Sequence, residues 1–111
     1  MYGQKVKNVR AVILKFVKEL EKEITVEKVI LFGSYARGNP RNFSDIDILV
    51  VSPDFEGGTQ EDFALLDRVA RKTNLLIEAI PYTTSDFENY EKGDFVHEIR
   101  NTGKIILDKA A

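Results

Sequence analysis

The sequence predicts an α/β fold in which helices pack on a β-sheet, and three observations carry that reading. Short β-branched and aliphatic runs of strand length occur at Lys28–Phe32, Asp45–Val51, Leu75–Pro81 and Lys104–Leu107. Between and before them, apolar residues recur at helical spacing, as in Val6, Val9, Ile13, Phe16, Val17 and Leu20. Gly, Pro, Asn and Asp mark the joints. The predicted order is helix, strand, long loop, strand, helix, strand, two short helices, strand.

The first segment, Gln4 to about Glu23, reads as an amphipathic helix lying on the sheet. Lysines and glutamates are mixed on its polar side, which argues against a membrane-surface helix. Lys28–Phe32 is the first strand and ends at Gly33. Ser34–Ser44 is a loop with room for one helical turn at Ser34–Arg37, because Gly38, Asn39, Pro40 and Asn42 forbid a longer one. Asp45–Val51 is the second strand; Ser52-Pro53-Asp54 is turn chemistry, and Phe55–Gly58 continues the loop.

Thr59 is a predicted N-cap, with Glu61 and Asp62 in the first turn and Phe63, Leu66, Val69 and Ala70 forming a stripe down to about Thr73. Leu75–Pro81 is the third strand, apolar except for Glu78. Ser85 and Glu88 form a predicted capping box for a short helix through Tyr90, which Gly93 interrupts. Asp94 starts another, with Phe95, Val96 and Ile99 inward and Gly103 as its stop. The strand–helix–strand unit from Asp45 to Pro81 predicts parallel strands crossing right-handed. The direction of the first strand against the second stays open.

A chain of 111 residues predicts one domain spanning 1–111. The formal net charge of −2 argues against duplex nucleic acid as the main partner, which normally meets a basic face. A nucleotide held through metal remains compatible, since the cation supplies positive charge. The absence of cysteine removes disulfides, thiolate nucleophiles and zinc-thiolate sites. No apolar run approaches the roughly 18–20 residues of a membrane span, and lysines interrupt the N-terminal apolar residues. No membrane association is expected, and a cytoplasmic location is.

The candidate site lies between Val29 and Val51. Asp45, Asp47 and Leu49 fall on one side of the second strand, and Ile46, Ile48 and Val50 on the other. The two aspartates, with Cα atoms about 7 Å apart, are spaced to converge on divalent cations. Gly33-Ser34 follows a strand, so Gly33 is free to adopt a backbone closed to other residues and present N–H groups to an anion. Arg37 and Arg41 lie in the intervening loop, suited to triphosphate oxygens or simply solvated. The Gly-Lys-Ser/Thr ending of a P-loop is absent. Tyr35 either stacks on a base or covers the loop. His97 has no ligand-spaced partner beyond adjacent Glu98, which points to a surface or half-buried role.

Gly33-Ser34, ten residues, and then Asp45-Ile46-Asp47 resembles the GSx10DxD signature of the DNA polymerase β-like nucleotidyltransferases. The run GSYARGNPRNFSDIDILV resembles the minimal nucleotidyltransferases of that superfamily, over nearly the whole chain. The resemblance implies a palm-like fold with a mixed sheet. It also implies that Asp45 and Asp47 hold two Mg²⁺ ions and that Gly33 and Ser34 hold the β- and γ-phosphates of ATP. A third carboxylate on the neighbouring strand completes such sites, and Glu78 is the candidate where the family usually has aspartate. The implied activity is AMP transfer from ATP to a hydroxyl. The implied partner is a HEPN-domain toxin, modified on tyrosine. Size alone, not the resemblance, leads to the expectation of an oligomer or hetero-complex, since a small domain with an open site usually needs a partner to finish the pocket. The alternative is a catalytically weak antitoxin or scaffold that acts by contact.

Overall fold

The computed structural model describes residues 8–41, 44–90 and 94–109. The elements run α1 (Val9–Leu20), β1 (Lys28–Phe32), α2 (Gly33–Arg37), β2 (Ile46–Val51), α3 (Gln60–Thr73), β3 (Ile77–Tyr82), α4 (Thr84–Glu88), α5 (Phe95–Thr102) and β4 (Lys104–Asp108). The strands form one sheet in the order β3-β2-β1-β4. The pair β2–β3 is parallel, as the strand–helix–strand unit predicts. The direction left open is antiparallel: β1 pairs antiparallel with β2 and also with β4. The sheet is therefore mixed.

Side-chain parity divides β2 between two cores. Ile46, Ile48 and Val50 join Ile13, Phe16 and Leu20 of α1 and Leu66 and Val69 of α3 on one face. On the other face Leu49 and Val51 meet Ile30, Phe87 of α4, and Val96 and Ile99 of α5. Each fully buried aliphatic or aromatic side chain stabilises the fold by about 1.5–3 kcal/mol. The face that carries Asp47 is thus covered by α4 and α5 further along the sheet.

Several boundaries differ from expectation for local reasons. α1 begins at Val9, where the Asn8 side chain accepts from the Ala11 N–H at 3.1 Å. Val6 lies outside the described residues, as do Asn42, Phe43 and Gly93. β3 begins at Ile77 rather than Leu75. Asn74 accepts the Leu76 N–H through its side chain and the Ile77 N–H through its carbonyl, a turn that leaves Leu75 80% exposed.

The cap of α4 is Thr83, not Ser85: its hydroxyl accepts from the Asp86 N–H at 2.9 Å, and the helix ends at Glu88. Thr59 caps α3 as expected, in a box completed by Asp62. Phe63 and Phe95, expected inward, are 39% and 42% exposed. Among the described residues no helix is long and apolar enough to cross a membrane.

Candidate active site

The site grows out of the end of β1. Gly33 adopts φ +74°, a backbone that L side chains rarely take, and the chain turns directly into α2. Strand pairing then brings the acids to this corner. Phe32 faces Asp47 across the antiparallel β1–β2 pair, and Asp47 faces Glu78 across the parallel β2–β3 pair. Asp47 sits close enough to Gly33 that a Cβ there would lie 2.3 Å from Asp47 Oδ2. The φ favours glycine, and a side chain there would also have to displace the Asp47 carboxylate.

A cleft of about 470 Å³ opens over this corner. Its lining draws on Phe32 of β1, on Gly33, Ser34 and Arg37 of α2, on Ser44, Asp45 and Asp47 at the start of β2, and on Phe95, Glu98, Ile99 and Thr102 of α5. Asp45 is exposed and stands one residue before β2, which begins at Ile46 rather than Asp45. Asp47 is half-buried, and its carboxyl is pushed above the usual aspartate range. Burial is the largest cause, followed by the charges of Asp45 and Glu78, with Arg37 opposing them.

Two predicted residues stand outside the walls. Glu78 is exposed beside Asp47 and borders a separate groove of about 360 Å³ along β3 and α3, with Phe63, Asp67 and Arg71. Arg41 is exposed in the loop; its N–H donates to Ser44 Oγ at 2.7 Å, and its carbonyl accepts from the Ser44 N–H at 3.1 Å. Tyr35 is buried in the larger core, so it covers rather than stacks. His97 is half-buried, its ring 5.7 Å from that of Tyr90 and its Nε2 3.2 Å from Asn101 Nδ2.

Among the described residues no three Asp, Glu or His side chains stand close enough together to hold one ion. The chemistry of the paired aspartates nonetheless suits Mg²⁺, which takes carboxylate oxygens with water and phosphate completing its shell. After burial, the charges of Asp45 and Glu78 add to the rise of the Asp47 carboxyl, and a cation relieves repulsion of that kind.

The α5 wall is the part that sequence reasoning missed. Phe95, Glu98, Ile99 and Thr102 follow an i, i+3, i+4, i+7 stripe, legible as one helix face. Nothing in the stripe itself says that this face hangs over the end of β2.

The nucleotidyltransferase domain family matches this chain over residues 11–104. A protein of Methanocaldococcus jannaschii named "Putative protein adenylyltransferase MJ0141" is 31% identical over 99 residues, covering 82% of this chain and 95% of its own. A second from that organism, "Putative protein adenylyltransferase MJ0604", is 31% identical over 103 residues, covering 89% and 98%. A crystal structure described as a toxin-antitoxin with AMP-PNP has a TM-score of 0.64 at 20% identity, covering 91% of this chain and 74% of its own. At that identity the likeness is one of fold.

Proposed function

Because the chain belongs to the nucleotidyltransferase domain family, we propose that it transfers AMP from ATP to a protein hydroxyl, a tyrosine of a HEPN-domain toxin partner. It would then act as the antitoxin of such a pair, in a complex whose partner completes the open cleft. The observation that carries this reading is Asp47 seated against the Gly33 corner, with Asp45 and Arg37 in the same cleft. The names of the M. jannaschii relatives and the toxin-antitoxin fold neighbour support the choice of a protein acceptor. The net charge of −2 supports it over a long nucleic acid strand.

In this reading Gly33 and Ser34 bind the β- and γ-phosphates, and Arg37 pairs with the triphosphate oxygens while Arg41 approaches from the loop. Asp45 and Asp47, with Glu78 alongside, would hold two Mg²⁺ ions. When bound, these ions supply neutralisation of the triphosphate charge and orientation of the reacting oxygens. The acceptor oxygen attacks the α-phosphorus in line, the bond to the bridging oxygen breaks, and pyrophosphate leaves. The acceptor proton passes to a carboxylate, for which Glu78 is the proposed base. The methylene that Glu78 has beyond aspartate moves its carboxylate by about 1 Å, enough to slow turnover.

The test is incubation with α-labelled ATP, Mg²⁺ and the HEPN partner, beside the Asp47→Ala variant. Label on the partner with the parent protein and none with the variant is expected; equal labelling by both overturns the reading. The position of Glu78 outside the cleft walls favours a second reading, silencing by contact with little turnover. Toxin inhibition left intact in Asp47→Ala would select it.

A further inference from the structure

The α5 side of the cleft has a chemistry of its own. Phe95 offers an aromatic ring that is 42% exposed. That ring is held edge-on by Phe32, with centroids 5.4 Å apart and planes at 85°. Phe32 is the residue immediately before Gly33, so this platform is continuous with the corner proposed for the phosphates. One turn along α5, Glu98 presents an exposed carboxylate to the same cleft, and Thr102 a hydroxyl one turn further. The Thr102 hydroxyl donates its proton to the Glu98 carbonyl at 2.8 Å. Both polar groups on this wall are therefore left as acceptors.

A carboxylate is repelled by a triphosphate, so Glu98 must face an uncharged part of whatever fills the cleft. A ring face beside acceptors, contiguous with a phosphate corner, matches a nucleobase that stacks and donates. Resting on the adenylyl-transfer reading above, we propose that the α5 face is the nucleobase wall of the cleft. Phe95 stacks on adenine, and Glu98 accepts a hydrogen bond from its exocyclic amine. The amine keeps both protons, and no bond is made or broken at this wall. Its contribution is affinity and base selection.

The experiment is calorimetric binding in Mg²⁺ buffer, independent of turnover. The ligands are ATP, purine riboside 5′-triphosphate (which lacks the amine) and inorganic tripolyphosphate. The proteins are the parent, Phe95→Leu and Glu98→Ala. Leucine keeps the packing volume against Phe32, and thermal melts check that both variants fold. The parent is expected to prefer ATP over the amine-free analogue by roughly tenfold, the scale of one hydrogen bond to a charged group. Glu98→Ala should erase that preference. Phe95→Leu should weaken both nucleotides roughly tenfold, as lost base stacking does. Phe95→Leu should leave tripolyphosphate binding within about twofold, because it changes no charge. Glu98→Ala, which removes a like charge from the cleft, should leave that binding unchanged or tighter, never weaker.

A preference for the amine that survives in Glu98→Ala overturns the proposal. So does ATP affinity unchanged in both variants, which would give the wall to the acceptor instead. A parent protein that binds tripolyphosphate with variants silent sinks this inference alone. A parent that binds none of the three ligands sinks the nucleotidyl-transfer reading of the cleft together with it.

Discussion

Asp47 Oδ2 occupies the space that a side chain on residue 33 would need, 2.3 Å from the position of a Cβ on Gly33. The backbone at Gly33 is also left-handed, at φ +74°. Gly33→Ala therefore meets two penalties. The left-handed backbone costs about 1–2 kcal/mol for alanine, and the carboxylate has to move. A fall in melting temperature of roughly 5–15 °C is expected, with loss of nucleotidyl transfer. The two penalties separate in a double-mutant cycle. In an Asp47→Ala background the clash is gone and only the backbone cost remains, so Gly33→Ala should be milder there. Equal costs in both backgrounds would show that the carboxylate is not in the way.

Asp47 also makes a pH prediction. Burial, and then the charges of Asp45 and Glu78, raise its folded pKa against the pull of Arg37. Between the ordinary aspartate value near 3.9 and the higher folded one, the unfolded chain has released a proton that the native chain still holds. Stability from this group is thus lost as pH rises through that window, and the deficit persists above it. Asp47→Asn keeps the shape without the charge. It should melt higher than the parent at neutral pH, by roughly 2–5 °C, while transferring no nucleotide. The gap should close as pH falls below the ordinary aspartate value, a trend that paired melts across pH can follow.

Asp62 runs the other way. Burial alone would push its carboxyl up, but N–H donors from Glu56, Thr59, Gly58 and Gly57 outweigh it and hold it below the usual range. Oδ2 accepts from Gly58 at 2.9 Å, Gly57 at 3.0 Å and Thr59 at 3.2 Å, and the Glu56 N–H lies 3.1 Å and 3.0 Å from the two oxygens. This contribution is full above the unfolded pKa and is lost as pH falls through the depressed one. Asp62→Ala should cost about 2–3 kcal/mol at neutral pH, a drop of roughly 10 °C or more. The cost should shrink towards acid pH, and denaturant melts at two pH values measure both effects.

The Gly-Ser and Asp-x-Asp part of the cleft was legible because it is written in short runs of neighbouring residues. Gly33-Ser34 and Asp45-Ile46-Asp47 follow local rules, a turn after a strand and a period of two, and the structure places both motifs in one cleft. The parallel β2–β3 pair was legible from the helix between the strands. What failed depended on distance along the chain. Asp62 read as an ordinary first-turn acid, because its donors come from a loop that folds back onto it. The cover on Leu49 and the placement of Phe95 and Glu98 depend on how α5 docks, which no periodicity reports. Asp47 and Glu78 face each other because of sheet register, and register depends on the whole core.

Gly103 shows the same limit in one residue. Its place after α5 fits the expected helix stop, yet its φ of −81° is open to any residue. Space is what demands glycine here. A Cβ would lie 2.6 Å from Ile30 Cγ2, 2.7 Å from the Ile99 carbonyl oxygen and 3.0 Å from the Leu31 carbonyl oxygen. Two of those three atoms are backbone, so the neighbours cannot simply rotate away. Gly103→Ala should therefore destabilise by about 1–3 kcal/mol, the usual cost of overpacking. If the helix-stop role alone mattered, Gly103→Ala would be nearly neutral, because alanine adopts this backbone freely. The Ile30→Leu companion, which keeps the volume but has no Cγ2 methyl, tells the two apart: the cost of Gly103→Ala should fall in the Ile30→Leu background. Chemical denaturation of the two single variants and the double variant gives that coupling directly.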